Sequence, residues 1–226
     1  KFYSIKDKSI KSILQNEGFF SSIFKVKGFD ELHISHSTIE YKLPMDILET
    51  SNNFKFDFKN SGICFEGNIY TVETSPCELL HNPPLTLLDI LEKEVDEKYY
   101  LIGDDLDKWT YMKGAKAIER TSKTGHKYTF REGALSFPDP IDRPARTMLT
   151  SEGSKNRSTH VVEDLTTGKL RLLTPVECER INGFPDNWTN TGMTHSFRYF
   201  TMGNALVVNL ITLMAEKLSD IIEKED

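Results

Sequence analysis

Apolar and polar positions alternate most clearly between Phe54 and Thr74. Phe54, Phe56 and Phe58 are separated by Lys55, Asp57 and Lys59, and Ile69, Tyr70 and Val72 follow a Gly67-Asn68 turn. A period of two around a turn pair predicts paired strands. Upstream, Ser9 to Leu14 predicts a short basic helix, while His33 to Leu48 alternates weakly. Asn82-Pro83-Pro84 breaks the chain. Thr86 to Leu91 predicts a helical turn before the acidic stretch Glu92 to Glu97, and Tyr99 to Ile102 forms a short apolar segment. From Lys108 to Thr159 the chain is rich in Gly, Ser, Thr, Pro and basic residues, which predicts loops on a short-stranded scaffold.

The last third is patterned more sharply. Val161-Val162 predicts a short strand, and Gly168 a turn. Thr174-Pro175-Val176-Glu177 carries three helix-start signals together: an N-cap Thr, Pro at the first helical position and Glu to complete a capping box. Gly183 should stop that helix about two turns on. Leu206, Leu210, Leu213, Met214, Lys217, Leu218, Ile221 and Ile222 then keep helical spacing, which predicts a helix from about Asn204 to Ile222 with one face buried.

The 226 residues suit one or two domains and suffice for a core. No apolar run reaches the length of a membrane span, and no signal peptide opens the sequence. Cys64, Cys77 and Cys178 are far apart without metal-ligand spacing, a usage that fits a reducing compartment. The net charge is −6, unpromising for a nucleic-acid partner until its distribution is considered. Residues 108–157 hold eleven Lys and Arg against five Asp and Glu, leaving seventeen basic and twenty-nine acidic residues elsewhere. One basic block thus sits in an acidic protein.

Three stretches carry a family likeness. Leu170 to Thr189, LRLLTPVECERINGFPDNWT, resembles the ninth conserved motif of DNA (cytosine-5)-methyltransferases, and Met202 to Ile211, MGNALVVNLI, resembles their tenth. Arg143 to Leu149, RPARTML, resembles the end of the family's target-recognition domain, and the order matches too. Lys108 to His160 is similar to a bacterial subgroup that includes restriction-modification methylases. The resemblance runs from about Leu85 to Ile222; Lys1 to Pro84 is compatible with the variable recognition region without identifying it. It implies an α/β chain with a target-recognition domain of short strands and long loops over residues 1–162. The C-terminal helices, within residues 163–226, would belong to a Rossmann-like methyltransferase domain. A bacterial cytoplasmic location is implied, with double-stranded DNA and an N-terminal catalytic half, covalent or separate, as partners.

The resemblance also assigns residues. Gly203, Asn204 and Ala205 would contact S-adenosylmethionine in the complete enzyme; the family often has Ser or Ala where Ala205 stands, so this chain offers no polar side chain there. Thr147 would lie beside the phosphate of the flipped nucleotide. The basic block supplies the DNA candidates, because phosphates need Lys, Arg, Ser and Thr while base edges need Arg, Asn, Gln or Ser. These are Lys113, Lys116, Arg120, Ser122, Lys123 and His126, then Arg146, Thr147, Ser151, Asn156, Arg157 and Ser158. Thr174, Glu177, Arg180 and Gly183 read as structural, with Arg180 reaching back to carbonyls or acids.

Catalytic residues are not assigned. The family's chemistry needs a Cys nucleophile after Pro, and Ser75-Pro76-Cys77-Glu78 offers one. Its Gly-rich lead-in is absent, Glu replaces the usual Gln, and no Glu-Asn-Val follows, so Cys77 is rejected. Two readings stay open: half of a methyltransferase, or a freestanding sequence-specific DNA-binding module. An exposed face on the last helix would favour the first, a covered one the second.

Overall fold

The computed structural model describes residues 9–39, 48–49, 54–75, 77, 84–103 and 105–225. The chain divides into two compact units, Lys1–Leu80 with Thr212–Asp226, and His81–Ile211. That division falls near His81, whereas the sequence reading placed a boundary at Val162. The reason is local: Val161–Glu163 (β6) and Leu170–Leu172 (β7) pair with each other across it.

In the first unit, a short helix α1 (Ile10–Ser12) runs into a π-helical turn, Ile13–Glu17, that buries Ile13 and Leu14. Helix α2 (Phe19–Ile23) follows. Strands β1 (Ser35–Thr38), β2 (Ser61–Phe65) and β3 (Asn68–Val72) form an antiparallel sheet in the order β1-β3-β2. The hairpin joining β2 and β3 turns at Glu66 and Gly67, both with positive φ, as a two-residue turn requires, and Asn68 opens the next strand. Phe54 to Phe58 forms no strand. Their three rings gather at centroid spacings of 5.8–6.2 Å, sheltering apolar surface without a ladder.

The second unit holds the rest of the sheet structure and the larger core. Helix α3 (Leu87–Ile90) starts at Thr86, which shares a capping box with Asp89. The hairpin of β4 (Lys116–Thr121) and β5 (Lys127–Glu132) lies where loops on a short-stranded scaffold were expected, whereas helix α4 (Asp105–Lys113), which runs into that stretch, was not expected. Helix α5 (Pro175–Ile181) begins at Thr174. Gly183, at φ 80°, accompanies the turn that ends it. Leu87, Ile90, Met148, Val162, Leu173, Cys178, Tyr199 and Met202 form the core.

The final helical region departs from expectation. It comprises α6 (His195–Asn204), a break, and α7 (Val208–Glu225), so Asn204 ends one helix instead of starting the next. Helix α6 buries Arg198, Tyr199 and Met202, a stripe whose first member is charged, so it does not read as apolar periodicity. The face of α7 expected to be buried is largely open. Leu213, Leu218 and Ile222 are 46%, 51% and 54% exposed, and Leu206 ahead of the helix is 66% exposed. Among the described residues no helix is long and apolar enough to cross a membrane.

Candidate nucleic-acid interface

The cap of α5 begins a buried ionic network. Glu177 N–H donates to Thr174 Oγ1 at 3.1 Å, and Thr174 N–H donates back to Glu177 Oε2 at 2.8 Å. The Glu177 carboxylate also receives both ends of the Arg171 guanidinium, at 2.9 and 2.8 Å, while Arg171 Nε donates to Asp164 at 3.0 Å. Arg171 and Glu177 are fully buried. Burial alone would lower the Arg171 pKa, but the two carboxylates outweigh it and raise it. A second cluster joins Glu179 to Arg198 at 2.9 Å and to the Thr189 hydroxyl. Burial pushes the Glu179 carboxyl up, and these donors more than compensate, holding it below its ordinary value. Arg180 grips Asp186 with two donors, at 2.8 and 2.6 Å, and donates to the Ile90 carbonyl at 2.9 Å.

The DNA candidates fall into two groups. Lys113 is a correction: it is 1% exposed, and its ammonium donates to the Thr159 carbonyl at 2.5 Å beside Asp139 at 3.5 Å. It cannot reach a phosphate from there. Burial lowers its pKa despite Asp139. Arg157 is a second correction, because its guanidinium donates to the carbonyls of Met112 at 2.7 Å, Gly114 at 2.8 Å and Gly133. It clamps the base of the β4–β5 hairpin. Arg146 donates to Asp139 at 2.6 Å and to the Ser158 carbonyl at 3.2 Å. Asn156 Oδ1 accepts from Ser158 N–H at 2.9 Å, and the Ser151 carbonyl accepts from the Ser154 hydroxyl at 2.6 Å. Arg146, Ser151, Asn156 and Ser158 are half-buried parts of one folded loop, and Thr147 stands exposed beside them.

Sequence reasoning missed what shapes this loop. Asp139 is the hub: it is 2% exposed and accepts from Arg146, Lys113 and Val161 N–H. Burial raises its carboxyl, and the donors win, leaving it lowered. Glu152 closes the loop on His160, accepting from the backbone N–H at 2.7 Å and facing Nδ1 at 3.0 Å. The available signal was the scarcity of acids in the basic block, since an isolated carboxylate there has many cations to choose from.

The second group is open. Lys116, Arg120, Ser122, Lys123 and His126 all lie on the β4–β5 hairpin, where no residue from Lys116 to Glu132 is buried. Lys116 sits over the Tyr111 ring at 4.5 Å and Arg120 over Phe130 at 4.0 Å.

Gly203, Asn204 and Ala205 terminate α6. A Cβ on Gly203 would lie 2.4 Å from the backbone of Leu149 and Thr150, so the glycine is needed for the close approach of that loop. Asn204 Nδ2 donates to the Phe200 carbonyl at 3.0 Å. Gly203 and Ala205 share a cavity of about 390 Å³ with Arg146 and Thr147. On the other side, Asn204 and Ala205 border a second cavity of about 760 Å³ walled by Phe184, Trp188, Phe197 and Phe200.

Residues 25–220 match the model of the C-5 cytosine-specific DNA methylase family. The type II methyltransferase M.Sau3AI of Staphylococcus aureus is 42% identical over 96% of this chain and 51% of its own length. M.DsaV of Dactylococcopsis salina is 31% identical over 60% of the chain and 35% of its own length. A solved structure, the Entamoeba histolytica methyltransferase EhMeth, is 22% identical at a TM-score of 0.35, covering 69% of this chain and 48% of that one. The chain spans about half the length of the S. aureus relative and about a third of the D. salina one. By the extent of the family match, this chain belongs to the C-5 cytosine-specific DNA methylases.

Proposed function

We propose that this chain is the DNA-recognition half of a DNA (cytosine-5)-methyltransferase of a restriction-modification system. It would hold and select the duplex, while an N-terminal catalytic half, covalent or separate, on a Rossmann-like domain completed by α6 and α7, attacks a flipped-out cytosine. The observation that carries this reading is the shared cavity of Arg146 and Thr147 with Gly203 and Ala205. Residues assigned to DNA and residues assigned to the methyl donor thereby lie within one small space, as methyl transfer to a held nucleotide requires. The open apolar face of α7 supports a half-enzyme over a freestanding module, because a freestanding module has reason to cover it.

S-adenosylmethionine would meet only an edge of this chain. The backbone of Gly203 and Ala205 and the amide oxygen of Asn204 can hold polar atoms of that molecule, whose sulfonium supplies the methyl group. Ala205 brings no hydroxyl, and the Asn204 amide nitrogen is already engaged with Phe200, so the chain fits as one wall of a site and not as a whole one. The chain's own part is to orient the duplex through the loop, keep that loop against α6, and exclude water from the shared cavity.

The test is fluorescence anisotropy of this chain with a randomised duplex pool across a salt series. The expected result is preference for particular sequences, with log affinity falling steeply against log salt. Binding that ignores sequence at every salt concentration would remove the recognition role.

A further inference from the structure

Residues 149–153 lie along one turn of helix α6, and a glycine makes the contact at each end. At one end the backbone of Leu149 and Thr150 meets Gly203; at the other Gly153, at φ 76°, lies against the Tyr199 ring. A Cβ on either glycine would collide with what it faces. Tyr199 and Gly203 are four residues apart and therefore share a face of α6. The Tyr199 ring is 5% exposed, and its hydroxyl donates to the Leu173 carbonyl at 2.7 Å, so it has no room to swing aside. One glycine in the loop and one in the helix thus set the depth of approach between the two.

A buried charge holds the loop in that place. Glu152 sits between the two contacts, is 4% exposed, and donates its N–H to the Leu149 carbonyl at 2.9 Å. Its carboxylate accepts from His160 N–H at 2.7 Å and faces His160 Nδ1 at 3.0 Å. His160 is fully buried, and its Nε2 has no partner among the described residues, so the imidazole depends on Glu152. The residues beside His160 are gripped as well: Lys113 donates to the Thr159 carbonyl, and Val161 N–H donates to Asp139. Residues 159–161 are a buried anchor, and Glu152 is the tether from that anchor to the loop. A buried carboxylate is tolerable only while its hydrogen bonds are made, and removing it leaves His160 unpartnered in turn.

Thr147 precedes this segment by two residues and shares the cavity of about 390 Å³ with Gly203 and Ala205. The wall that carries Thr147 and the wall that carries Ala205 are therefore joined through the tether and the two glycine contacts. We propose that Glu152 and Gly153 are positioning residues, which set the separation of these walls and with it the alignment of nucleotide and methyl donor. The proposal rests on the DNA-recognition reading above. Neither residue lines the cavity, so each acts on alignment and not on binding. A reacting pair displaced by about 1 Å loses roughly 100-fold in rate, even when the cause lies away from the chemistry.

The experiment is single-turnover methyl transfer by the enzyme assembled from this chain and its N-terminal catalytic half, on a duplex selected from a randomised pool. The wild type is compared with Glu152→Ala, Glu152→Gln and Gly153→Ala. At saturating enzyme the folded fraction enters the amplitude and not the rate constant, so a merely structural defect leaves the rate constant alone. Glu152→Ala should slow transfer roughly 10- to 100-fold while the affinities for duplex and for S-adenosylmethionine stay within about threefold of wild type. Gly153→Ala should behave alike. Glu152→Gln should recover most of the rate, because its amide oxygen can accept from His160 N–H and its amide nitrogen can donate to Nδ1 of the other tautomer. In this chain alone, Glu152→Ala should speed amide hydrogen exchange across residues 149–160 and at Gly203, and not across β4 and β5. A wild-type rate constant in Glu152→Ala, or exchange that rises uniformly along the chain, would overturn the positioning role and leave the recognition reading intact. A wild-type assembly that methylates no cytosine would remove the recognition reading and the positioning role with it.

Discussion

The ionic clusters packed on α5 and the β4–β5 ribbon use the same residue types to opposite ends. Around α5, Arg171 serves Asp164 and Glu177, and Arg198 serves Glu179, with every one of these groups buried. On the ribbon, five cations, none of them buried, make no ion pair among the described residues. A buried charge is tolerable only when paired and hydrogen-bonded, so the first region has no freedom to bind anything. An exposed, unpaired cation contributes little to stability and keeps its full charge for a partner. Charge near a helix cap therefore marks architecture here, while charge on an uncovered ribbon stays available to a partner.

The sharpest way to break that contrast is Arg171→Met. It leaves Asp164 and Glu177 buried without their cation and should cost about 3–5 kcal/mol in guanidinium unfolding. A loss below about 1 kcal/mol would mean the network is not structural in the sense argued. Buried acids of the other clusters, paired with Arg198 and Arg146, also set an acid limit. Glu179 and Asp139 are held below their ordinary values of 4.5 and 3.8, so their contribution is complete above those values and lost as pH falls through the lower folded ones. Melting temperature should accordingly drop below about pH 4, and a flat profile from pH 5 to pH 2 would contradict the pairing.

Next in size is Gly203→Ala. The added methyl meets the Leu149–Thr150 backbone, not a flexible side chain, and should cost about 1–3 kcal/mol by overpacking. Thr174→Ala removes the N-cap and should cost about 1 kcal/mol in the same assay. Smallest is Lys127→Ala on the ribbon, expected to move stability by less than about 0.5 kcal/mol while DNA affinity falls. A large loss of stability there would erase the distinction between the two regions.

Much of the second unit was legible where local rules act alone. Thr174, Pro175 and Glu177 declare the start of α5, and Gly183 its end, because a cap is a contact among neighbours in sequence. The hairpin around Gly67 is visible for the same reason, although its turn sits one residue earlier, at Glu66 and Gly67. Helix α4 was not visible. It buries Trp109 together with Lys113, a residue that any hydrophobic pattern counts as outward. Helix α6 hid behind Arg198 in the same way.

By itself, the sequence determined the caps, the turns, the family motifs and the position of the basic block, since each is a matter of residue types at short spacing. Only the tertiary structure decided which cations of that block remain available. Lys113 and Arg157 turn inward because carbonyls remote in sequence, and for Lys113 also Asp139, reach them first, while Arg120 and Lys123 find no such partner on a ribbon that nothing else in the described chain covers. Whether a charge is spent or free depends on what long-range folding places within hydrogen-bond distance, and sequence spacing does not fix that.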